Sequence, residues 1–241
     1  MTAASPAGPG PIRVLAVSDE VDEGLWQGAG ELPDVDLVVS CGDLPFDYLA
    51  RLMAVLDVPL VFVPGNHDPD VSGYRRARSG LFLRAGLPAE PPWPAGAVNA
   101  DGRVVDAGGL RIAGLGGCLR YGDGPNQYTE RQQAGRARRL ARAARRRERR
   151  DGRGVDVVLV HAPPLGTGDG DDAPHRGFAA LHRLVAAVRP ALLLHGHVHP
   201  YGDRAPTRRL GATLVRNVVG RHVIDVGPPA LRAGDGGRDA E

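Results

Sequence analysis

The sequence predicts one mixed α/β domain, with a largely parallel sheet and an antiparallel contribution. Short, continuous apolar runs recur along the chain, as is typical of strands covered on both faces. Segments with the apolar spacing of amphipathic helices stand between several of these runs. The 241 residues, 42% of them hydrophobic, are enough to form a core without disulfide or metal support.

Eight segments, most of them short apolar runs, are the predicted strands. In chain order they are Ile12–Val17, Val35–Ser40, Leu60–Val63, Leu110–Leu115, Val155–Val160, Ala191–His195, Thr213–Asn217 and Arg221–Val226. Helical periodicity predicts helices over Phe46–Leu56, Glu130–Arg150 and Phe178–Val188. The alternation of strand and helix indicates βαβ connections. Near the end of the chain, Leu214–Asn217 and His222–Val226 are expected to form a hairpin across Gly220.

Composition predicts the limits and setting of this domain. Residues 1–10 and 228–241 are rich in small and polar residues, which predicts disordered tails around a single domain over residues 11–227. The net charge of +2 gives little reason to expect a nucleic-acid or membrane partner, although nucleic acid stays open as a substrate. Two cysteines, no secretory leader and no run of ~18 apolar residues favour a cytoplasmic protein. The oligomeric state is left open.

Four short polar clusters follow predicted strands, at the point where each strand ends. They contain Asp19, Asp43, the run Gly65–Asp68, and the run Gly196–His199. An isolated His161 follows a fifth strand in the same way. Because ligands bind at the carboxyl ends of parallel strands, these residues are expected to meet at one edge. Two carboxylates, an amide and three or four imidazoles form a ligand set for two divalent metal ions.

The two carboxylates have different predicted positions in this set. Asp43 is central, where a carboxylate can contact two metal ions about 3.5 to 4 Å apart. Asp19 is then a terminal ligand. A lone Gly-Asp is more often a helix cap, and a lone histidine such as His161 is more often a hydrogen-bonded loop residue. It is the ordered set that favours the metal site.

The Asn-His-Asp run is too polar for a core and too crowded for a simple turn. Asn66 can offer a neutral oxygen to one metal ion while His67 stays free. Asp68 behind His67 suggests a general acid, in which the carboxylate orients an imidazole that protonates a leaving alkoxide. His197 and His199 are expected to point to the same side of an extended segment and to serve adjacent metal ions.

All 30 basic residues are arginines, and nine of them fall within residues 136–150. In this segment Ala137, Leu140, Ala141 and Ala144 form an apolar stripe at helical spacing. The stripe favours a solvated surface helix, and an anion-attracting patch near the site is the alternative.

Two loops contain further polar residues whose role is open. Arg120, Asn126 and Tyr128 lie in a Gly-rich loop, where they either bind a phosphate or stabilise the loop. The acidic loop Asp169–Asp172, followed by His175 and Arg176, either borders the site or is a solvated excursion.

The ordered motifs resemble those of the calcineurin-like metallophosphoesterase superfamily, from Asp19 to His199 and on through Asn217. The resemblance implies a four-layer αββα sandwich of two mixed β-sheets flanked by helices. It also implies two ions of manganese, iron, zinc or nickel, which hydrolyse phosphomonoesters or phosphodiesters through a metal-bound hydroxide. Matched motif by motif, Asp43 bridges the metals, Asp19 and His199 hold the first, Asn66, His161 and His197 hold the second, and His67, oriented by Asp68, is the general acid.

One position departs from the family pattern, which has a histidine two residues after the first aspartate. This chain has Val21 there, which cannot bind a metal. Either Glu20, Asp22 or Glu23 replaces the histidine, or the first metal binds weakly, or a single metal is ordered. Because the other motifs remain, we expect an active enzyme with a phosphorylated small-molecule substrate. The alternative is a non-catalytic binding or scaffold protein on the same fold, as inferred for a retromer subunit that resembles this family.

Overall fold

The structure, a computed structural model, describes residues 10–28, 32–200 and 207–227. Apart from Gly10, the two predicted tails, residues 1–10 and 228–241, lie outside the described residues. Within the described ranges, no helix has both the length and the apolar character that a membrane span requires.

Two β-sheets form the centre of the molecule. The strands of the first sheet are β1 Ile12–Ser18, β2 Leu37–Ser40, β3 Leu60–Phe62, β7 Val98–Asn99 and β16 Gly220–Val226. Their spatial order is β16-β1-β2-β3-β7. The first four strands in sequence run parallel, while β16 is antiparallel to β1.

The second sheet has six strands. They are β8 Val104–Ala107, β9 Leu110–Leu115, β12 Val157–Val160, β13 Leu192–His195, β14 Thr207–Leu210 and β15 Thr213–Asn217. Their spatial order is β14-β15-β13-β12-β9-β8. The four central strands are parallel, and the two edge strands are antiparallel to their neighbours.

Helices and short strands complete the architecture. The helices are α1 Glu23–Gln27, α2 Phe46–Leu56, α3 Glu130–Asp151 and α4 Ala180–Val188. A small antiparallel sheet contains β4 Tyr74–Arg76, β5 Phe82–Arg84 and β6 Leu87–Pro88. A two-stranded parallel pair contains β10 Cys118–Leu119 and β11 Gln127–Tyr128.

Alternate side chains of the central strands enter different cores. In β1, Val14 packs between the two sheets, whereas Leu15 packs beneath α1 and α2. In β12, Leu159 packs between the sheets, whereas Val158 packs beneath α3 and α4. Both sheets are therefore covered on both faces, and this explains their continuous apolar sequences. The structure confirms the four-layer sandwich and the largely parallel sheets.

The predicted hairpin near the end of the chain is wrong. The segment Leu214–Asn217 pairs within the second sheet, while His222–Val226 pairs with β1 in the first sheet. The chain crosses between the sheets at Val218, which is fully buried in the core that they share. Asn217 supports this crossing, because its Oδ1 accepts a hydrogen bond from the amide of Val219 at 2.9 Å.

Helix α3 has the predicted apolar stripe. Ala137, Leu140 and Ala144 are buried against the second sheet, and Ala141 is partly buried. Among the described residues, none of the α3 arginines lines the cavity that contains the predicted ligands. The arrangement therefore supports a solvated helix face.

Candidate metal centre

Polar residues that follow strands of both sheets meet at one edge of the molecule. A cavity of about 290 Å³ lies there, lined by Asp19, Asp43, Asn66, His67, Tyr121, Pro174, His175, His197 and His199. His161 is fully buried and contacts Asn66 and Asp43. The structure therefore brings together every predicted metal-ligating residue.

Three polar atoms converge at His161. Its Nδ1 donates a hydrogen bond to the carbonyl oxygen of Cys41 at 2.8 Å, and since a carbonyl only accepts, this contact places a proton on Nδ1. Its Nε2 lies 3.0 Å from Asn66 Oδ1 and 3.2 Å from Asp43 Oδ2. One ring nitrogen and two acceptor oxygens thus face one another. Such an arrangement requires a shared cation, which is either a proton or a metal ion.

His197 adds a second ring nitrogen to this group. Its Nε2 donates to the carbonyl oxygen of Pro174 at 2.7 Å, which leaves Nδ1 free to act as a ligand. Ligand atoms of Asp43, His161 and His197 all lie within 4.8 Å of one another. With Asn66, they provide mixed nitrogen and oxygen donors, which suit divalent first-row transition metals. The residues present therefore fit a divalent metal ion.

The charges at this point also favour a cation. Burial by itself would raise the pKa of Asp43, but the hydrogen bond and charge of His161 outweigh it, and the pKa is lowered. Burial by itself would lower the pKa of His161, but Asp43 and Asp19 raise it to about 9. The field of the two carboxylates thus stabilises a positive charge where the ligand atoms converge.

Three candidate ligands have an unusual backbone conformation. Asp19, Asp43 and His197 have positive φ angles of 59°, 57° and 69°. This left-handed conformation costs about 1–2 kcal/mol per non-glycine residue and is concentrated at functional sites. Because His197 has a left-handed conformation, the prediction of an extended segment at this residue is wrong. The chain turns there instead, because the amide of His197 donates to Asp19 Oδ2 at 3.0 Å and draws the loop towards β1.

Asp68 does not have the predicted role as the partner of His67. Its Oδ2 accepts hydrogen bonds from the amides of Gly65 at 2.7 Å and Asp43 at 2.9 Å. Within the described part of the chain, no hydrogen bond joins Asp68 to the His67 ring, so the predicted orienting contact is wrong. The carboxylate is buried and directed to the loop backbone, whereas His67 is exposed. Burial raises the pKa of Asp68 to about 6, although the two amides lower it. Asp68 therefore joins the loops after β2 and β3.

The two predicted ligands of the first metal, Asp19 and His199, line the same cavity. Asp19 Oδ2 accepts from Ser18 Oγ as well as from the His197 amide. Burial raises the pKa of Asp19, although these hydrogen bonds and the charge of His161 lower it. His199 is exposed, and its Nδ1 lies 3.0 Å from Glu20 Oε1.

The residues after Asp19 differ in their contacts. Val21 packs against the core beneath α1 and α2. Asp22 caps α1 by accepting from the amide of Leu25 at 2.8 Å, and Glu23 lies in the first turn of that helix. Glu20 is therefore the acidic side chain of this group that contacts a predicted ligand.

Sequence reasoning missed Tyr121. Its hydroxyl accepts a hydrogen bond from Asn66 Nδ2 at 3.0 Å, and this contact directs Asn66 Oδ1 towards His161. Asn126, in the same Gly-rich loop, donates through Nδ2 to the carbonyl oxygens of Gly65 and Asp68 at 2.9 and 3.1 Å. This Gly-rich loop therefore supports the loop that contains Asn66.

Arg120 and Tyr128, the other two polar residues of this loop, contact the protein itself and not the cavity. Arg120 donates to the carbonyl oxygen of Gln127, and the guanidinium of Arg136 lies 3.9 Å from the centre of the Tyr128 ring. Neither Arg120 nor Tyr128 lines the cavity. The structure thus favours a loop-stabilising role for both.

Comparisons with known proteins show the family and the fold of this chain. The sequence profile of the calcineurin-like phosphoesterase family matches residues 17–201, which is more than half of the chain. One solved structure is 16% identical, with a TM-score of 0.58 over 90% of this chain and 100% of that chain. The crystal structure of the protein TT1561 from Thermus thermophilus is 14% identical, with a TM-score of 0.50 over 90% and 99% of the two chains. No curated protein gives a significant match. The two structural similarities show a shared fold.

Proposed function

The chain belongs to the calcineurin-like phosphoesterase family, and on this basis we propose that it hydrolyses a phosphomonoester or phosphodiester with the help of divalent metal ions. The main supporting observation is the convergence of His161 Nε2, Asn66 Oδ1 and Asp43 Oδ2, whose nitrogen and oxygen donors fit a divalent metal ion. When bound, the ions supply Lewis-acid polarisation of the phosphoryl group and a lowered pKa for water.

We propose that the centre holds two ions of manganese, iron, zinc or nickel. Asn66, His161 and His197 would hold one ion, and Asp43 would be shared between the two. Asp19 and His199, which line the same cavity, would hold the other ion. The carbonyls behind His161 and His197 keep a nitrogen of each ring free for its metal.

We assign the proton transfer to His67. Its amide donates to Asp43 Oδ1 at 2.8 Å, so the main chain is fixed at the metal centre while the ring lines the cavity. The ring is therefore placed to meet a substrate without holding a metal ion. From there it donates a proton to the leaving oxygen of the ester.

His67→Ala tests this assignment. We expect turnover to fall by roughly 10² to 10⁴-fold with unchanged metal content, since alanine keeps the amide that contacts Asp43. His161→Ala is the matched comparison and should lose metal as well as activity. The assay uses p-nitrophenyl phosphate and bis-p-nitrophenyl phosphate after chelation and reloading with Mn, Fe, Ni or Zn, with metal content measured in parallel. Metal loss in His67→Ala equal to that in His161→Ala would contradict the assignment.

We propose a phosphorylated small molecule as the substrate and the cytoplasm as the location. The cavity of about 290 Å³ matches the smallest small-molecule sites. None of the α3 arginines lines it within the described residues, which makes nucleic acid the less favoured substrate. The two free, buried cysteines agree with a reducing compartment.

A non-catalytic binding protein is the second candidate. The observation in its favour is Val21, which packs into the core where the family pattern has a histidine. Wild-type protein that binds metal but hydrolyses neither ester with any of the four metals would favour this candidate over the enzyme.

A further inference from the structure

The loop between β12 and α4 forms one wall of the cavity. The carbonyl oxygen of Pro174 accepts the hydrogen bond from His197 Nε2 at 2.7 Å, which anchors the loop to a metal ligand. The amide of Gly170 donates to the carbonyl oxygen of His175 at 3.0 Å, which closes the loop on itself. His175 therefore has a fixed place in the wall, next to Pro174.

The His175 ring is oriented from one side. Its Nδ1 lies 2.8 and 2.9 Å from the two carboxylate oxygens of Asp172. The centre of the ring lies 5.3 Å from that of His197, and the side chain lines the cavity. Among the described residues, no hydrogen bond reaches His175 Nε2. A carboxylate on one nitrogen thus orients the ring, and the other nitrogen has no hydrogen-bond partner among the residues that the structure describes.

A substrate phosphate needs hydrogen-bond donors in this cavity. Asp19 and Asp43 supply acceptor oxygens, which repel the phosphoryl oxygens that the metal ions do not contact. Donors among the lining side chains that are not assigned to a metal ion are His67, the hydroxyl of Tyr121, and His175 when both of its ring nitrogens carry a proton. His67 has the leaving oxygen as its partner in the proposed function, and the Tyr121 hydroxyl contacts Asn66, so His175 is available for the phosphate itself.

We propose that His175, with both ring nitrogens protonated, donates a hydrogen bond from Nε2 to a phosphoryl oxygen of the substrate, and that Asp172 is its positioning residue. The proposal rests on the proposed function, because it assigns a role to the wall of the same site. It adds a substrate contact from a residue 14 positions after His161, the metal-ligating residue at the start of the same loop.

The test uses full-length protein loaded with Mn²⁺, and inorganic phosphate is the probe. We expect His175→Ala to weaken phosphate binding in isothermal titration by roughly ten-fold or more, as for the loss of a hydrogen bond to a charged group. The KM for p-nitrophenyl phosphate should rise by a similar factor while Mn²⁺ content stays unchanged. Asp172→Asn should change both values in the same direction by less. Arg176→Gln, which removes a neighbouring charge outside the cavity lining, is the control and should change neither.

Phosphate affinity and KM that stay unchanged in His175→Ala would overturn the proposal. Loss of Mn²⁺ in that variant would also overturn it, because the residue would then act through His197. Absence of phosphate binding by the wild-type protein would have the same consequence. Wild-type protein that binds phosphate but hydrolyses no ester would contradict the proposed function, while the phosphate affinities would still decide the role of His175.

Discussion

Gly65 offers a test of the metal centre that removes no ligand. A Cβ atom at this position would lie 2.5 Å from Asp43 Cγ and 2.7 Å from His161 Cε1, whereas ordinary contact begins at 3.4 Å. Asp43 Oδ1 would lie closer still, so Asp43 would have to shift by more than 0.9 Å and His161 by about 0.7 Å. Misplacement of about 1 Å costs on the order of 10²-fold at an active site, and overpacking costs about 1–3 kcal/mol of stability. We expect Gly65→Ala to weaken Mn²⁺ binding by roughly 100-fold and to lower the free energy of unfolding by about 1–3 kcal/mol.

Isothermal titration of chelator-treated protein measures the Mn²⁺ affinity, and urea unfolding of the metal-free protein measures the stability. Gly135→Ala is the matched control, because Gly135 lies within α3 and a Cβ there would meet its nearest neighbour, Arg139, at 3.6 Å. Alanine also favours a helix over glycine by about 0.5–1 kcal/mol, so this control should keep its metal affinity and resist urea better. Gly65→Ala that binds Mn²⁺ as tightly as the wild type would refute the placement of Asp43 and His161 around one ion.

Two other predictions concern Tyr121 and His195. Tyr121→Phe removes the acceptor of the Asn66 hydrogen bond. We expect the Mn²⁺ affinity measured by isothermal titration to fall roughly ten-fold. An unchanged affinity would show that Asn66 does not need this contact. Burial lowers the pKa of His195 from 6.5 to about 4. Between these two values His195 binds a proton in the unfolded state but stays neutral in the folded state. The free energy of unfolding therefore decreases as the pH falls from 6.5 to 4. The contribution of His195 to this loss of stability approaches ~3 kcal/mol. Urea unfolding of the metal-free protein at pH 7 and pH 4.5 measures the loss, and we expect it to be smaller in His195→Gln than in the wild type. Equal losses in both proteins would exclude this contribution of His195.

Much of the candidate metal centre is predictable because its residues come directly after apolar strands. Asp19 follows β1 and His161 follows β12, and in a parallel sheet the ends of neighbouring strands meet. Position along the chain therefore indicates position in space. The four layers are predictable for a related reason, since strands such as β12 are buried on both faces and have apolar residues throughout.

The remaining features depend on contacts between distant residues. Asp68 follows His67 in sequence, but its carboxylate binds the amide of Asp43, 25 residues earlier. The crossing of β16 to the first sheet depends on the free edge of β1, and local periodicity contains no information about that edge. The short strand β4 has one buried and two exposed residues, so it lacks the continuous apolar run that is typical of the central strands.

The pairing of the first strand with the last determines the order in which the molecule can be assembled during synthesis. Ile12 is opposite Val226 in the register of β1 and β16. A nascent chain therefore has β1 with one edge exposed until more than 200 further residues have been made. Contacts of such long sequence separation form late in folding, because the chain must first close a large loop. Since Asp19 lies at the end of β1, we expect the ribosome-bound protein to acquire high metal affinity only after β16 has emerged.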